Sequence, residues 1–224
     1  MKRTRVKICG ITRLEDLYVS VDAGVDAVGF IVDVPSSLRS LTLRKAKVLM
    51  DKTPIFVEKV AVTVFRSIDQ LNRIYGKLKP DAVQIHGDQL PENAVRESLR
   101  HAQLIRAVQV NSENSIDAAI RSAIVFDAVL TDSFSPGKYG GTGTSHNWAL
   151  SKLIKESIKP KPLILAGGLK PENVKDAILT VEPYAVDVSS GVEVQPGIKD
   201  SEMIFSFMEE VKEAERCVNL ANIQ

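Results

Sequence analysis

Cys9, in the run Lys7-Ile8-Cys9-Gly10-Ile11-Thr12, stands where a short apolar strand gives way to a turn, a natural place for a reactive thiol. Val6 and Ile8 read as the strand's buried face, and Gly10 permits the turn. Thr12 with Glu15 three residues on predicts a capping box for the helix that follows. A helix N-terminus beside Cys9 would lower the thiol pKa, giving a thiolate able to act as base or nucleophile. Away from such a setting a free cysteine is usually an inert small hydrophobe, so the case for chemistry rests on position. The other side chains suited to chemistry also stand at or just beyond strand ends: Arg39, Gln84 and His86, Asp132, and Asp187. Asp132 can give a proton near neutral pH only if burial or negative charge raises its pKa, and Cys9 can take one only in the opposite environment.

A repeat orders these residues. Asp26-Ala27-Val28, Asp81-Ala82-Val83, Asp127-Ala128-Val129 and Tyr184-Ala185-Val186 each open a short apolar run. The interval between them is about twice the roughly 25–30 residues of one strand-loop-helix unit. Further strands at Val6 to Cys9, Lys59 to Val64, Leu104 to Val108 and Pro162 to Ala166 fill the gaps. Amphipathic helices are predicted at Leu14 to Ala23, Leu43 to Asp51, Ile68 to Leu78, Pro91 to Leu99, Ser115 to Ala123, Trp148 to Glu156, Pro171 to Leu179 and Ser201 to Ala214.

Eight strands alternating with eight helices predict parallel strands, right-handed crossovers and a single α/β domain closed as a (β/α)8 TIM barrel, in preference to an open doubly wound sheet. The barrel is expected over about residues 4–215. The stretch 216–224, which holds Cys217, reads as a helix extension or frayed end. A dinucleotide fingerprint is lacking after the first strand, and Gly140-Gly141-Thr142-Gly143 fits neither that spacing nor a P-loop.

In a TIM barrel the residues at the C-terminal strand ends share one mouth, so Cys9, Arg39, Gln84, His86, Asp132, Gly167-Gly168, Asp187 and Ser190-Gly191 are expected together. Gly167-Gly168 before a helix near Pro171, with Ser190-Gly191, suits a phosphate cradle of backbone N–H groups. Composition narrows the partners. A formal net charge of +1, with Lys and Arg spread along the chain, leaves no basic footprint for nucleic acid or membrane surface. No apolar run reaches the roughly 20 residues of a membrane helix. Two cysteines far apart and a basic start leading straight into a strand suggest a reducing, cytoplasmic setting.

The motif set Lys7-Ile8-Cys9-Gly10-Ile11-Thr12, Gln84-Ile85-His86-Gly87, Leu130-Thr131-Asp132, Gly140-Gly141-Thr142-Gly143, Leu165-Ala166-Gly167-Gly168-Leu169 with Pro171-Glu172-Asn173-Val174, and Val186 to Glu193 resembles the phosphoribosylanthranilate isomerase family over the whole barrel. The resemblance implies an Amadori rearrangement in tryptophan biosynthesis, without cofactor or metal. An aminoaldose, phosphoribosylanthranilate, becomes the aminoketose carboxyphenylamino-deoxyribulose phosphate. It implies Asp132 as the acid that opens the sugar ring and Cys9 as the base at sugar C2. Arg39 would hold the anthranilate carboxylate, for which a guanidinium's paired donors are suited. Asp187 would meet the bridging nitrogen. Gln84 and His86 would bind or position substrate, and Gly167, Gly168, Ser190 and Gly191 would hold phosphate. A small phosphorylated substrate is the only partner expected besides a second copy, the chain acting as monomer or homodimer. Many relatives have a lysine after the glycine loop and an aspartate before the tryptophan; here Thr144 and Asn147 stand instead, and Asn147 can still cap the sixth helix. The aminoaldose isomerase of histidine synthesis would want an aspartate where Cys9 stands, and a non-catalytic phosphate-binding barrel would have no need of the acid and base.

Overall fold

The computed structural model describes residues 3–133 and 147–221. Eight strands, β1 (Arg5–Cys9), β2 (Ala27–Ile31), β3 (Glu58–Val64), β4 (Ala82–His86), β5 (Gln103–Val110), β6 (Ala128–Ser133), β7 (Leu163–Leu165) and β8 (Ala185–Val188), form one closed parallel barrel in chain order. Pairing of Arg5 to Ile8 with Ala185 to Val188 closes it. The helices between are α1 (Leu14–Asp22), α2 (Leu43–Lys52), α3 (Ile68–Leu78), α4 (Glu92–Ser98), α5 (Asn114–Val125), α6 (Trp148–Ser157) and α7 (Pro171–Val181). After β8 come a single 3-10 turn at Ser190–Val192, a small antiparallel pair β9 (Glu193–Gln195) and β10 (Ile198–Lys199), and α8 (Ser201–Ala221). The expected barrel is therefore present, and the tail predicted as helix extension or frayed end continues α8 to Ala221.

The repeat has a physical basis. The carboxylates of Asp26, Asp81 and Asp127 accept the backbone N–H of Val6 (2.9 Å), Lys59 (2.8 Å) and Leu104 (2.8 Å), the second residues of the neighbouring strands. Each aspartate thus pins an odd strand to the following even one at the bottom of the barrel, where neither strand can satisfy that donor by itself. In the fourth copy Tyr184 takes the aspartate's place: its carbonyl accepts the Arg5 N–H at 3.1 Å, and the Arg5 guanidinium lies 4.4 Å from its ring centroid.

Strand alternation divides the side chains into two sets. Val6, Ile8, Val28, Phe30, Val129, Val186 and Val188 face outward into the main core against Leu17, Leu49, Ile154, Ile178 and Phe207 of the helices. The inward set is smaller: Val60, Val62, Ile105, Leu130 and Ile164 fill the barrel interior, with alanines 82, 128 and 185 among them. Above this plug the inward positions turn polar, at Lys7 and Cys9 on β1, Gln84 and His86 on β4, Asp132 on β6 and Asp187 on β8. On β4, β6 and β8 each sits an even number of residues beyond an inward apolar neighbour, Ala82, Leu130 and Ala185, and on β1 Lys7 and Cys9 share one face.

Local stops and starts largely follow the sequence. Thr42, Ser67 and Asn147 accept backbone N–H groups at the heads of α2, α3 and α6. The Thr12/Glu15 capping box does not form. Arg13 is the cap residue of α1 and makes no side-chain cap bond, while the Thr12 hydroxyl donates to the Gly197 carbonyl at 2.5 Å. Asp16 takes over the role of local organiser: almost fully buried, it binds Arg13 and accepts the backbone N–H of Lys199.

Candidate active site

A cavity open to solvent occupies the C-terminal mouth of the barrel. Of the residues expected there, Cys9, Arg39, Gln84, His86, Asp132, Gly167, Gly168, Asp187 and Ser190 all line it. Gly191 does not. A Cβ on Gly191 would lie 1.9 Å from the Leu169 carbonyl oxygen, so this glycine's part is to let the β8 loop seat against the β7 loop behind the cavity wall. Gly167 and Gly168 have φ of +84° and +67°, a conformation glycine adopts without strain. A Cβ on Gly167 would lie 2.4 Å from the backbone nitrogen of Ser133, beside Asp132. The Asn173 side chain fixes this loop, donating to the Gly168 carbonyl and accepting the Lys170 N–H, both at 2.9 Å, at the head of α7.

Asp132 is buried, and its Oδ1 accepts the Ser133 N–H at 2.8 Å. Burial is the dominant influence and lifts its pKa to about 7, with Asp187 adding to the rise while the Ser133 N–H and Lys7 oppose it. The proton-holding environment required of an acid is therefore present. Cys9 departs from expectation. Burial pushes its thiol above the ordinary value, and although Lys7 and Lys199 pull it down, they do not overcome the loss of water. The expected helix-end lowering is not what governs this thiol.

His86 is buried, and its pKa falls to about 3 through burial and the neighbouring Arg106 and Lys7 charges, so its ring is neutral at physiological pH. Its Nε2 lies 2.9 Å from the Gln84 amide nitrogen. The Gln84 carbonyl oxygen is buried with no hydrogen-bond partner among the described residues, an acceptor that could serve a ligand hydroxyl or amine.

Three residues to which the sequence reading gave no role prove central. Lys7, 4% exposed, forms an ion pair at 2.9 Å with Asp187, 7% exposed. Removing one member of such a pair strands a buried charge, a loss of about 3–5 kcal/mol. Glu193 grips Arg39, with Nε at 3.0 and 3.1 Å from its two oxygens and Nη2 at 2.6 Å. Lys199 completes the chain, donating to Glu193 (2.7 Å), the Cys9 carbonyl (2.6 Å) and the Ser189 carbonyl (2.9 Å). Burial works against ionisation of Glu193, yet Arg39 and Lys199 together hold its carboxyl below the usual range. The guanidinium's Nε/Nη2 edge is thus committed to protein, which leaves the Nη1 end for a ligand. The alternation of Lys7 with Cys9 and the charged Glu193 and Lys199 flanking Gly197 are the signals that could have pointed to this network. Gly140–Gly143 and Thr144 lie outside the described residues. Among the described residues no cluster of metal-binding side chains occurs.

A family model for N-(5'-phosphoribosyl)anthranilate isomerase matches residues 6–210. The chain belongs to this family. The N-(5'-phosphoribosyl)anthranilate isomerase of Azotobacter vinelandii is 41% identical over 214 residues, covering 96% of this chain and all of the relative. The crystal structure of the phosphoribosyl anthranilate isomerase of Thermotoga maritima is 38% identical, with a TM-score of 0.84, covering 94% of this chain and 99% of that one. Another structure of a phosphoribosyl anthranilate isomerase, in complex with reduced 1-(o-carboxyphenylamino)-1-deoxyribulose 5-phosphate, is 36% identical with a TM-score of 0.81 over the same shares. The likeness to these structures covers 94% of the chain.

Proposed function

We propose that this chain catalyses the Amadori rearrangement of N-phosphoribosylanthranilate to carboxyphenylamino-deoxyribulose phosphate in tryptophan biosynthesis. The observation that carries the reading is the meeting of an acid with a pKa of about 7 and a thiol in one cavity beside a glycine-lined loop at the head of α7. Asp132 donates its proton to the furanose ring oxygen, and the C1–O bond breaks to give a Schiff base. Cys9 as thiolate then removes the proton from sugar C2, and the enolamine formed tautomerises to the aminoketose. Asp187 faces the bridging nitrogen, where a carboxylate favours the positive charge of the protonated Schiff base.

Arg39 takes the anthranilate carboxylate through the Nη1 end that Glu193 leaves uncommitted. Gln84 and His86 orient the sugar, His86 as a neutral ring. Gly167, Gly168 and Ser190 hold the phosphate at the α7 N-terminus, and Gly191 shapes that loop from behind. The ligand is a small phosphorylated molecule bound by a monomer or homodimer in the cytoplasm, in keeping with two free cysteines, Cys9 and Cys217, and with the lack, among the described residues, of any helix long and apolar enough to cross a membrane.

The test is the loss of anthranilate-type fluorescence when the protein meets freshly made phosphoribosylanthranilate, with Cys9→Ser and Asp132→Asn beside it. Conversion by the parent and a fall of about a hundredfold or more in each variant is expected. Near-parent turnover by either variant removes that residue from the mechanism.

A further inference from the structure

Lys7 plays no part in the proton transfers above, does not line the cavity, and is nonetheless a charged residue sealed inside the barrel. Its ammonium hydrogen-bonds Asp187 at 2.9 Å, and its charge acts on the Cys9 thiol two residues along the same face of β1. The position of Gly29 shows how closely the two groups are set: a Cβ there would lie 2.8 Å from the Cys9 Sγ and 3.0 Å from the Lys7 Nζ. Gly29 pairs with Cys9 in the β1/β2 register, so the missing side chain on β2 is what makes room for sulfur and ammonium side by side. Lys7 pairs across the other edge of β1 with Asp187. A lysine serving only to neutralise Asp187 would not need the sulfur within reach.

We infer that Lys7 is a positioning residue of the isomerisation: its ammonium, anchored by Asp187 and given space by Gly29, stands beside the Cys9 sulfur behind the cavity lining and provides the counter-charge for the thiolate. The inference rests on the reading of Cys9 as the base, and it explains how a thiol so deeply buried can act as one. Burial lowers the affinity of Lys7 for its proton, yet Asp187 and Cys9 together more than restore it, so the ammonium is charged throughout the working range. The charged groups acting on Cys9 are Lys7 on its own strand, Asp187 on β8 and Lys199 on β10; β2 contributes only Gly29 at this register. Asp132, His86 and Arg39 share the cavity with the thiol.

Opposite signs at the two partners make the role testable without turnover. The rate of Cys9 alkylation by iodoacetamide is followed against pH in a Cys217→Ser background, which removes the half-buried second thiol on α8. Lys7→Met should move the alkylation midpoint alkaline by one pH unit or more, since an opposite charge at this range shifts a pKa by about 1–3 units. Asp187→Asn should move it the other way, because Lys7 is then free to pair with sulfur alone. Should Lys7→Met fold poorly, Lys7→Met/Asp187→Asn compared with Asp187→Asn isolates Lys7 without a stranded carboxylate.

Lys7→Met should also lower kcat at least tenfold while affinity for reduced 1-(o-carboxyphenylamino)-1-deoxyribulose 5-phosphate stays within about threefold. A midpoint equal to the parent's in a folded Lys7 variant, or an alkaline shift in Asp187→Asn, overturns the inference. High turnover by Cys9→Ser would instead sink the role of Cys9 as base, and the alkylation midpoint would still report on Lys7.

Discussion

In the proposed mechanism the acid and base are set in the reverse of the usual order, with a consequence for the pH dependence. Asp132 titrates at about 7, while Cys9 stands above an ordinary thiol value of 9.0. The productive form needs Asp132 protonated and Cys9 ionised together. Between the two pKa values the gain in thiolate with rising pH cancels the loss of protonated Asp132, so kcat/KM should be flat from about pH 7 to beyond pH 9. Below pH 7 Asp132 is already fully protonated and only the thiolate declines, so the rate falls tenfold per unit. The acid limb therefore has the pKa of the acid, Asp132, and the alkaline limb that of the base, Cys9. With the two separated by at least the interval between 7 and 9.0, no more than about one molecule in a hundred is in the productive form at any pH.

The assay is the fluorescence decay of phosphoribosylanthranilate at limiting substrate from pH 6 to 10, with the carboxyl of Asp132 titrated independently by carbon NMR. The substrate phosphate adds its own ionisation near pH 6, a unit below the limb in question. An acid limb centred near 5, or a thiol that ionises below pH 7 in the free enzyme, would refute the reasoning, because Cys9 and Asp132 would then hold their protons in the ordinary order.

Asp132→Asn should stabilise the protein while abolishing turnover. The folded-state pKa of about 7 lies above the unfolded value of 3.8, so stability is lost as pH rises from about 4 to 7; the variant's advantage in urea unfolding should be near zero at pH 4 and on the order of 2–4 kcal/mol at pH 8, and equal stability at both would show the carboxyl is not strained by burial. Glu193→Gln weakens the bidentate hold on Arg39 and takes the counter-ion from Lys199, whose pKa burial already lowers; KM should rise about tenfold with kcat changed less than threefold, and an unchanged KM would detach Arg39 from carboxylate recognition. Gly191→Ala forces a Cβ against the Leu169 carbonyl, so the β7 and β8 loops must part: inhibition by inorganic phosphate should weaken at least tenfold while Cys9 alkylation stays normal, and unaltered phosphate inhibition would take these loops out of phosphate binding.

Architecture was legible because the barrel repeats one local instruction. Each Asp-Ala-Val copy encodes an aspartate that pins two strands, an inward alanine and an outward valine, and each carries the same message whatever surrounds it. The cap read at Asn147 was legible for the same reason, its side chain closing on its own turn, and Thr42 and Ser67, not singled out in the sequence, cap α2 and α3 in the same local way. At Thr12 the local rule failed because a distant partner won: the hydroxyl is taken by Gly197, and the β9–β10 hairpin that holds Gly197 is short, polar and follows the last barrel strand, where strand-helix periodicity carries no signal.

The site shows the same limit in its electrostatics. Which residues reach the mouth follows from strand ends and side-chain parity, both local properties, so nine of the residues named from sequence line the cavity. How each holds its proton depends on the balance of burial and charge across β1, β6, β8 and β10, which no single segment contains. Asp132 came out as expected because burial is the dominant influence on it. Cys9 did not, because the expectation weighed a helix end it could see in sequence and not the burial in the barrel interior it could not. Lys7 is where the two kinds of information meet. Its place two residues before Cys9 puts both on one face, but only the closed barrel brings Asp187 and the bare backbone of Gly29 to either side of that pair. A buried thiol proposed to act as a base needs its counter-charge built into the wall, and the alternation of a strand is enough to supply it once the sheet has closed.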